Sequence, residues 1–179
     1  ELMEGIAKLA DKLKSPLWMH NSETELEVKE CIERWGKTPT ALTDSLGMYK
    51  FGGGGYHCVW MSDEDYDIFK KRGLTAVTNY GSNAKLASGF CDIKRYLDEG
   101  INLAIGTDGP ASNNSLDMFK EMIMTATIPK VVNKDAACIP STEVLYAATA
   151  GGAKAMLLED CDRLEVGKKA DIIMIDMSQ

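Results

Sequence analysis

Residues 74–114, LTAVTNYGSNAKLASGFCDIKRYLDEGINLAIGTDGPASNN, hold the alternation that decides the fold. An apolar, β-rich run at 74–79 passes through the turn GSN into a helical pattern over 86–99, which Gly100 stops. A second apolar run follows at 101–106 and ends in the turn TDGPASNN. Strand, helix and strand in this order mark a βαβ unit, and repeated units of this kind build a parallel sheet.

The same rhythm extends outward. Upstream, SPLWMH at 15–20 reads as a short strand and 25–35 as a helix with Leu26, Ile32 and Val28 inward. The segment 36–55 is looser, with room for a short helix and the run GGGG at 52–55. No G-K-[ST] follows those glycines and no G-x-G-x-x-G opens a helix, so they read as a flexible connection rather than a phosphate loop. Residues 56–61 form the next expected strand. Asp63 and Glu64 favour a helix start, and 65–72 continues that helix to a stop at Gly73. Downstream, helices are expected over 115–126 and over 141–158, the second entered through Pro140 and the capping pattern STE. The tail DRLEVGKKADIIMIDM, 162–177, has a turn at 165–169 and a final apolar run that resembles a short β-hairpin. The chain opens with an amphipathic helical pattern, Leu2, Ile6, Leu9 and Leu13, already under way and without an initiator methionine, which leads us to expect that something upstream has been removed.

Bulk properties narrow the function. With 20 Lys and Arg against 27 Asp and Glu, the net charge is -7, and the scattered basic residues disfavour nucleic acid as a partner. No apolar run approaches the ~20 residues of a membrane span, and the opening lacks a secretory signal. The five cysteines are odd in number and never paired as C-x-x-C, so they read as small hydrophobes of a reducing compartment, and a cytoplasmic protein is expected. The ten methionines read as core filler.

In parallel α/β sheets the functional groups gather at the carboxyl ends of the strands. That filter selects His20, His57, the turn 79–83 and Asp108, one from each of four successive strands. Imidazole and carboxylate suit zinc or ferrous iron, and a catalytic metal takes ligands from several strands while leaving a position open. His20 and Asp108 fit that description. Glu23, three residues past His20, is placed to hand a proton to a substrate atom. A lone strand-end histidine is more commonly a hydrogen-bonded structural residue; the company of Asp108 argues against that reading here.

Five motifs occur in order: H-x-x-E-T (His20, Glu23, Thr24), Y-H-C-V (56–59), G-S-N-A-K-L-A-S-G (81–89), G-T-D-G-P-A-S-N-N-S-L-D-M-F (106–119) and L-E-V-G-K-K-A-D-I-I (164–173). Together they resemble the carboxyl-terminal half of the metal-dependent amidohydrolase superfamily, in the branch of 5-methylthioadenosine/S-adenosylhomocysteine deaminases with related chlorohydrolases and guanine deaminases. The resemblance implies an α/β fold: strands five to eight of a (β/α)8 TIM-like barrel over residues 1–160, and a closing β-segment of a small β-domain over 161–179. It implies one divalent metal, zinc before iron, held by an H-x-H pair, by His20 and by Asp108. Both histidines of this chain are then assigned, so the metal site is incomplete within it. By the same resemblance Glu23 protonates a ring nitrogen of a small heterocyclic substrate, His57 orients or polarises the attacking water, and Asp108 takes its proton. Ser82 and Asn83 fall at the substrate-facing turn. There the chain departs from the family, with Thr78, Asn79, Tyr80 and Gly81 where a histidine and a proline often precede the S-N.

The implied activity, expected of a longer parent, is hydrolytic deamination of an adenosine-type heterocycle such as 5-methylthioadenosine or S-adenosylhomocysteine. The alternatives are an s-triazine or guanine-type amino- or chlorohydrolase, and an inactive fragment. A half-barrel exposes two sheet edges, so pairing with the missing half or with another copy as a homo-oligomer is expected.

Overall fold

The structure, a computed structural model, describes residues 1–176 and 178. The elements run α1 (Leu2–Leu13), β1 (Leu17–Asn21), α2 (Glu25–Trp35), α3 (Pro39–Ser45), β2 (Gly53–His57), α4 (Asp63–Arg72) and β3 (Thr75–Thr78). They continue with α5 (Tyr80–Lys85), α6 (Ile93–Asp98), β4 (Asn102–Ile105), α7 (Pro110–Asn113), α8 (Met118–Asn133), α9 (Ser141–Ala148) and α10 (Ala150–Ala155). The four strands pair in parallel in the order β1-β2-β3-β4, so the expected α/β fold with a parallel sheet is present. No helix among the described residues is long and apolar enough to cross a membrane.

Local chemistry sets the helix limits. The Thr24 hydroxyl accepts the Glu27 N–H at the start of α2, and Gly36 ends that helix in the left-handed region. Ser62 and Asp65 form a reciprocal capping box on α4, which Gly73 terminates. One face of the sheet buries Leu74, Ala76 and Leu103 against Tyr66, Phe69 and Tyr96 of α4 and α6 and against Val144 and Ala147 of α9. The other face is sparsely covered. Val77 and Ala104 meet Trp18, Tyr56 and Ala155 there, beside a cavity of about 420 Å³. All five cysteines are free; Cys31, Cys58 and Cys91 are buried and the other two half-buried.

Several expectations are corrected. The glycine run is no flexible connection: Gly53–Gly55 lie inside β2, which ends at His57 rather than extending over 56–61. A Cβ on Gly53 would sit 1.8 Å from the Leu17 carbonyl oxygen of the paired strand, and its φ of +113° is closed to other residues in practice. The helix expected over 86–99 is confined to α6, because Ala87 (φ 56°) and Gly89 (φ 112°) turn the chain out of helical geometry before it, and the expected GSN turn at 81–83 lies instead inside α5. The helix expected over 115–126 begins where Asp117 accepts the Phe119 and Lys120 N–H groups and runs past Pro129 to Asn133. The one expected over 141–158 breaks at Thr149, at φ -124° and ψ -92°. On α2, Leu26 and Ile32 are exposed and Cys31 is buried instead. Glu27 turns that face inward, because its carboxylate accepts the Ser22 and Glu23 N–H groups at 3.2 and 2.7 Å.

The tail differs too. Residues 162–176 contain no strand; a turn closes with the Lys169 N–H donating to the Asp160 carbonyl, and Ile172, Ile173 and Ile175 face solvent. A lone extended segment leaves its peptide groups unpaired, so it gains nothing from strand geometry without a partner. Met177 falls outside the described residues.

Gly53→Ala is expected to destabilise the fold by about 3 kcal/mol or more, through backbone strain and overpacking against β1. A chemical-denaturation midpoint equal to the parent's would show that β2 does not run this close to its neighbour.

Candidate functional site

Parallel pairing brings four strand ends to one rim. His20 from β1, Tyr56 and His57 from β2, Val77 and Asn79 from β3, and Gly106 and Asp108 after β4 line one cavity of about 230 Å³. The nitrogen of His20 and the carboxylate of Asp108 thus share a wall. His20 is exposed, while His57 is buried and lies against it with ring centroids 5.3 Å apart in a stacked arrangement.

His57, Glu23 and Asp108 each have a holder. The Asn83 Oδ1 accepts from His57 Nδ1 at 2.7 Å, which places the proton on Nδ1 and leaves Nε2 for the rim. Glu23 approaches that Nε2 to 3.7 Å with Oε2, while its Oε1 accepts the Ser88 hydroxyl at 3.0 Å. The Asp108 Oδ2 accepts the Ser82 hydroxyl at 2.6 Å, and its Oδ1 accepts the Gly109 N–H at 2.7 Å. Burial raises the Asp108 carboxyl, but the Ser82 and Gly109 hydrogen bonds and the nearby His57 and His20 outweigh it and hold the group below the usual aspartate value. Asp108 stays ionised, as a metal ligand or proton acceptor must. Cys58, next to His57, takes no part: burial pushes its thiol up to about 12.

The backbone is strained where it matters. His57 (φ 71°) and Asp108 (φ 58°) both occupy the left-handed region that such residues rarely enter. Residues held in this way at a cost of roughly 1–3 kcal/mol each persist where the surroundings over-determine them, which is common at active sites.

Ser82 and Asn83, expected at the substrate-facing turn, are fully buried. Their side chains are spent on Asp108 and His57. Among the described residues no group of three or more His, Cys, Asp or Glu side chains is arranged to hold a metal ion. His20 and Asp108 supply an imidazole and a carboxylate to the cavity, a donor pair that fits zinc or ferrous iron in two positions of a larger ligand set.

A family model described as the amidohydrolase family matches residues 1–179. The chain belongs to the amidohydrolase family. Among curated relatives, a 5-methylthioadenosine/S-adenosylhomocysteine deaminase of Caldanaerobacter subterraneus subsp. tengcongensis is 45% identical over 178 residues, covering 99% of this chain and 41% of that protein. A 5'-deoxyadenosine deaminase of Methanosarcina acetivorans is 38% identical over 179 residues, covering 100% of this chain and 41% of that protein. Among solved structures, a zinc-bound adenosine deaminase from Xanthomonas campestris superposes with a TM-score of 0.87 at 39% identity, over 94% of this chain and 39% of that one. The chain spans about two fifths of the length of the curated relatives it matches.

Within this amidohydrolase chain, three holders escaped the sequence reading. Ser88 lies in the quoted motif 81–89, yet only the fold shows it beside Glu23, with its own carbonyl accepting the Trp60 indole N–H at 2.7 Å. Asn113 and Glu121 are buried beneath the Asp108 loop. The signal for Glu121 was its phase: Glu121, Thr125 and Pro129 recur every four residues and form the buried face of α8.

Asn83→Ala leaves the buried His57 Nδ1–H without an acceptor and is expected to cost about 1–3 kcal/mol. Urea unfolding measures it, and an unchanged midpoint would mean that His57 finds another partner.

Proposed function

We propose that this chain supplies strands five to eight of an amidohydrolase barrel, and with them half of an active site that deaminates an adenosine-type heterocycle by hydrolysis. One observation carries the reading: His20, Glu23, His57 and Asp108 come from three strand ends and converge around a single cavity. The names of the relatives support adenosine-type substrates, with 5-methylthioadenosine and S-adenosylhomocysteine foremost.

In this reading His20 and Asp108 hold one divalent metal, zinc as in the solved relative, and the remaining ligands come from chain outside these residues. When bound, the metal supplies Lewis acidity that makes a water nucleophilic near neutral pH. His57, its Nδ1 proton fixed by Asn83, points Nε2 at that water and orients it. Asp108 Oδ2, already accepting from Ser82, takes the proton released as the hydroxyl group joins the amidine-like carbon. Glu23, aimed by Ser88, delivers a proton to the adjacent ring nitrogen, so the carbon becomes tetrahedral without a stranded negative charge. The proton taken by Asp108 then passes to the exocyclic amine, which leaves as ammonia, and the hydroxyl proton returns to Glu23 as the carbonyl forms, so both carboxyl groups end in their starting states. Ser82 and Asn83 act through Asp108 and His57 rather than on the substrate.

The outer edges of β1 and β4, unpaired among the described residues, and the apolar tail at 172–175 take their partners from the same outside chain. Residues 161–179 then supply the closing segment of a composite β-domain. Turnover belongs to the complete protein.

The test is an ultraviolet deamination assay of the full-length protein on adenosine, 5-methylthioadenosine, S-adenosylhomocysteine and s-triazines. Adenosine-type substrates are expected to turn over. Asp108→Ala is expected to lose several orders of magnitude in kcat/KM, since proton transfer alone contributes about 10² to 10⁴ and a metal ligand goes with it. Retained turnover in that variant would remove Asp108 from the chemistry, and full metal occupancy with no heterocycle deaminated would sink the reading itself.

A further inference from the structure

The carboxylate of Glu121 is 0% exposed and 40 positions from the residue of α5 that it touches, and no step of the proposed chemistry uses it. Among the described residues it has no cation in direct contact. Instead Oε2 accepts the Gly81 N–H at 3.0 Å and Oε1 accepts the Asn113 amide at 2.7 Å. A buried carboxylate is tolerated only when such donors replace its hydration. The fit is close: a Cβ on Gly81 would lie 2.3 Å from Oε1, so glycine stands there to admit the carboxylate.

Both partners lead to Asp108. Gly81 precedes Ser82, whose hydroxyl donates to Asp108, and Asn83, which holds His57. Asn113 donates at 2.6 Å to the carbonyl of Thr107, the residue before Asp108, and its Oδ1 accepts from Lys120 at 3.0 Å. Glu121 therefore closes a ring of hydrogen bonds around a residue whose backbone, at φ 58°, does not hold itself in place. Lys85 also donates to the Ala111 carbonyl at 2.7 Å, a second tie between α5 and the segment after β4.

We propose that Glu121 is a positioning residue: from α8 it locks residues 81–83 of α5 to the Asp108 loop and so sets the aim of Asp108 and His57. The inference rests on the deaminase reading for its kinetic consequence, and on geometry alone for its effect on Asp108 as a ligand. Glutamine is the informative replacement. It keeps the shape but turns an NH₂ toward either the Gly81 N–H or the Asn113 amide, setting donor against donor.

The experiment compares Glu121→Gln with Met122→Ala in the full-length protein. Met122 packs on the core from the same helix and serves to measure what destabilisation alone does. Three quantities are read: steady-state kinetics on an adenosine-type substrate, zinc affinity by chelator competition, and the thermal midpoint. For Glu121→Gln, kcat and zinc affinity are each expected to fall about 10- to 100-fold with KM nearly unchanged. Met122→Ala is expected to lower the midpoint and leave the other two in place. Kinetics and zinc affinity within about twofold of the parent for Glu121→Gln would overturn the inference. So would a Met122→Ala variant that reproduces the losses. A parent that binds zinc but deaminates nothing removes the deaminase reading only, and zinc affinity then decides on Glu121; a parent that binds no zinc removes both.

Discussion

The close parallel pairing of β2 between β1 and β3 is the constraint on which the site depends. β2 holds the register that sets His20 opposite Tyr56 and Asn21 opposite His57. With a side chain on Gly53 the backbone of β1 could not approach, and the two histidine rings would not stack at the rim. Everything functional follows from strands that run in the same direction and end at the same level, because only then do residues from distant parts of the chain meet.

Around that rim the protein spends buried polar groups on aim rather than on stability. Asn83, Ser82, Ser88 and the Glu121–Asn113 pair each hold a group that holds the next, and two of the supported residues sit in strained backbone conformations. Such networks gain little net free energy over apolar packing, but a satisfied one admits a single arrangement. That exchange suits a rim whose imidazole and carboxylate groups are held in one geometry.

The two faces of the sheet have different fates. The helical face is a closed core of tyrosines, phenylalanine and aliphatic residues. The other face and the apolar residues at 172–175 are left open, in a chain that covers about two fifths of its curated relatives. The same asymmetry explains why the 162–176 tail, so strand-like in pattern, forms no strand: the pattern states a preference, and hydrogen-bonded partners decide whether it is realised.

By itself the sequence determined the class of fold, the alternation of its four parallel strands with helices, and the strand-end residues His20, His57 and Asp108, since these follow from local periodicity and from the rule that parallel strands carry function at their carboxyl ends. The five motifs, taken together and in order, carried the family. Only the tertiary structure decided that the glycine run is a central strand, that Leu26 and Ile32 face outward, and that Ser82, Asn83 and Glu121 serve other side chains. The reason is physical: hydrophobic pattern and capping act over a few residues, whereas close backbone approach and buried hydrogen bonds join positions tens of residues apart, and no local pattern encodes which of them will meet.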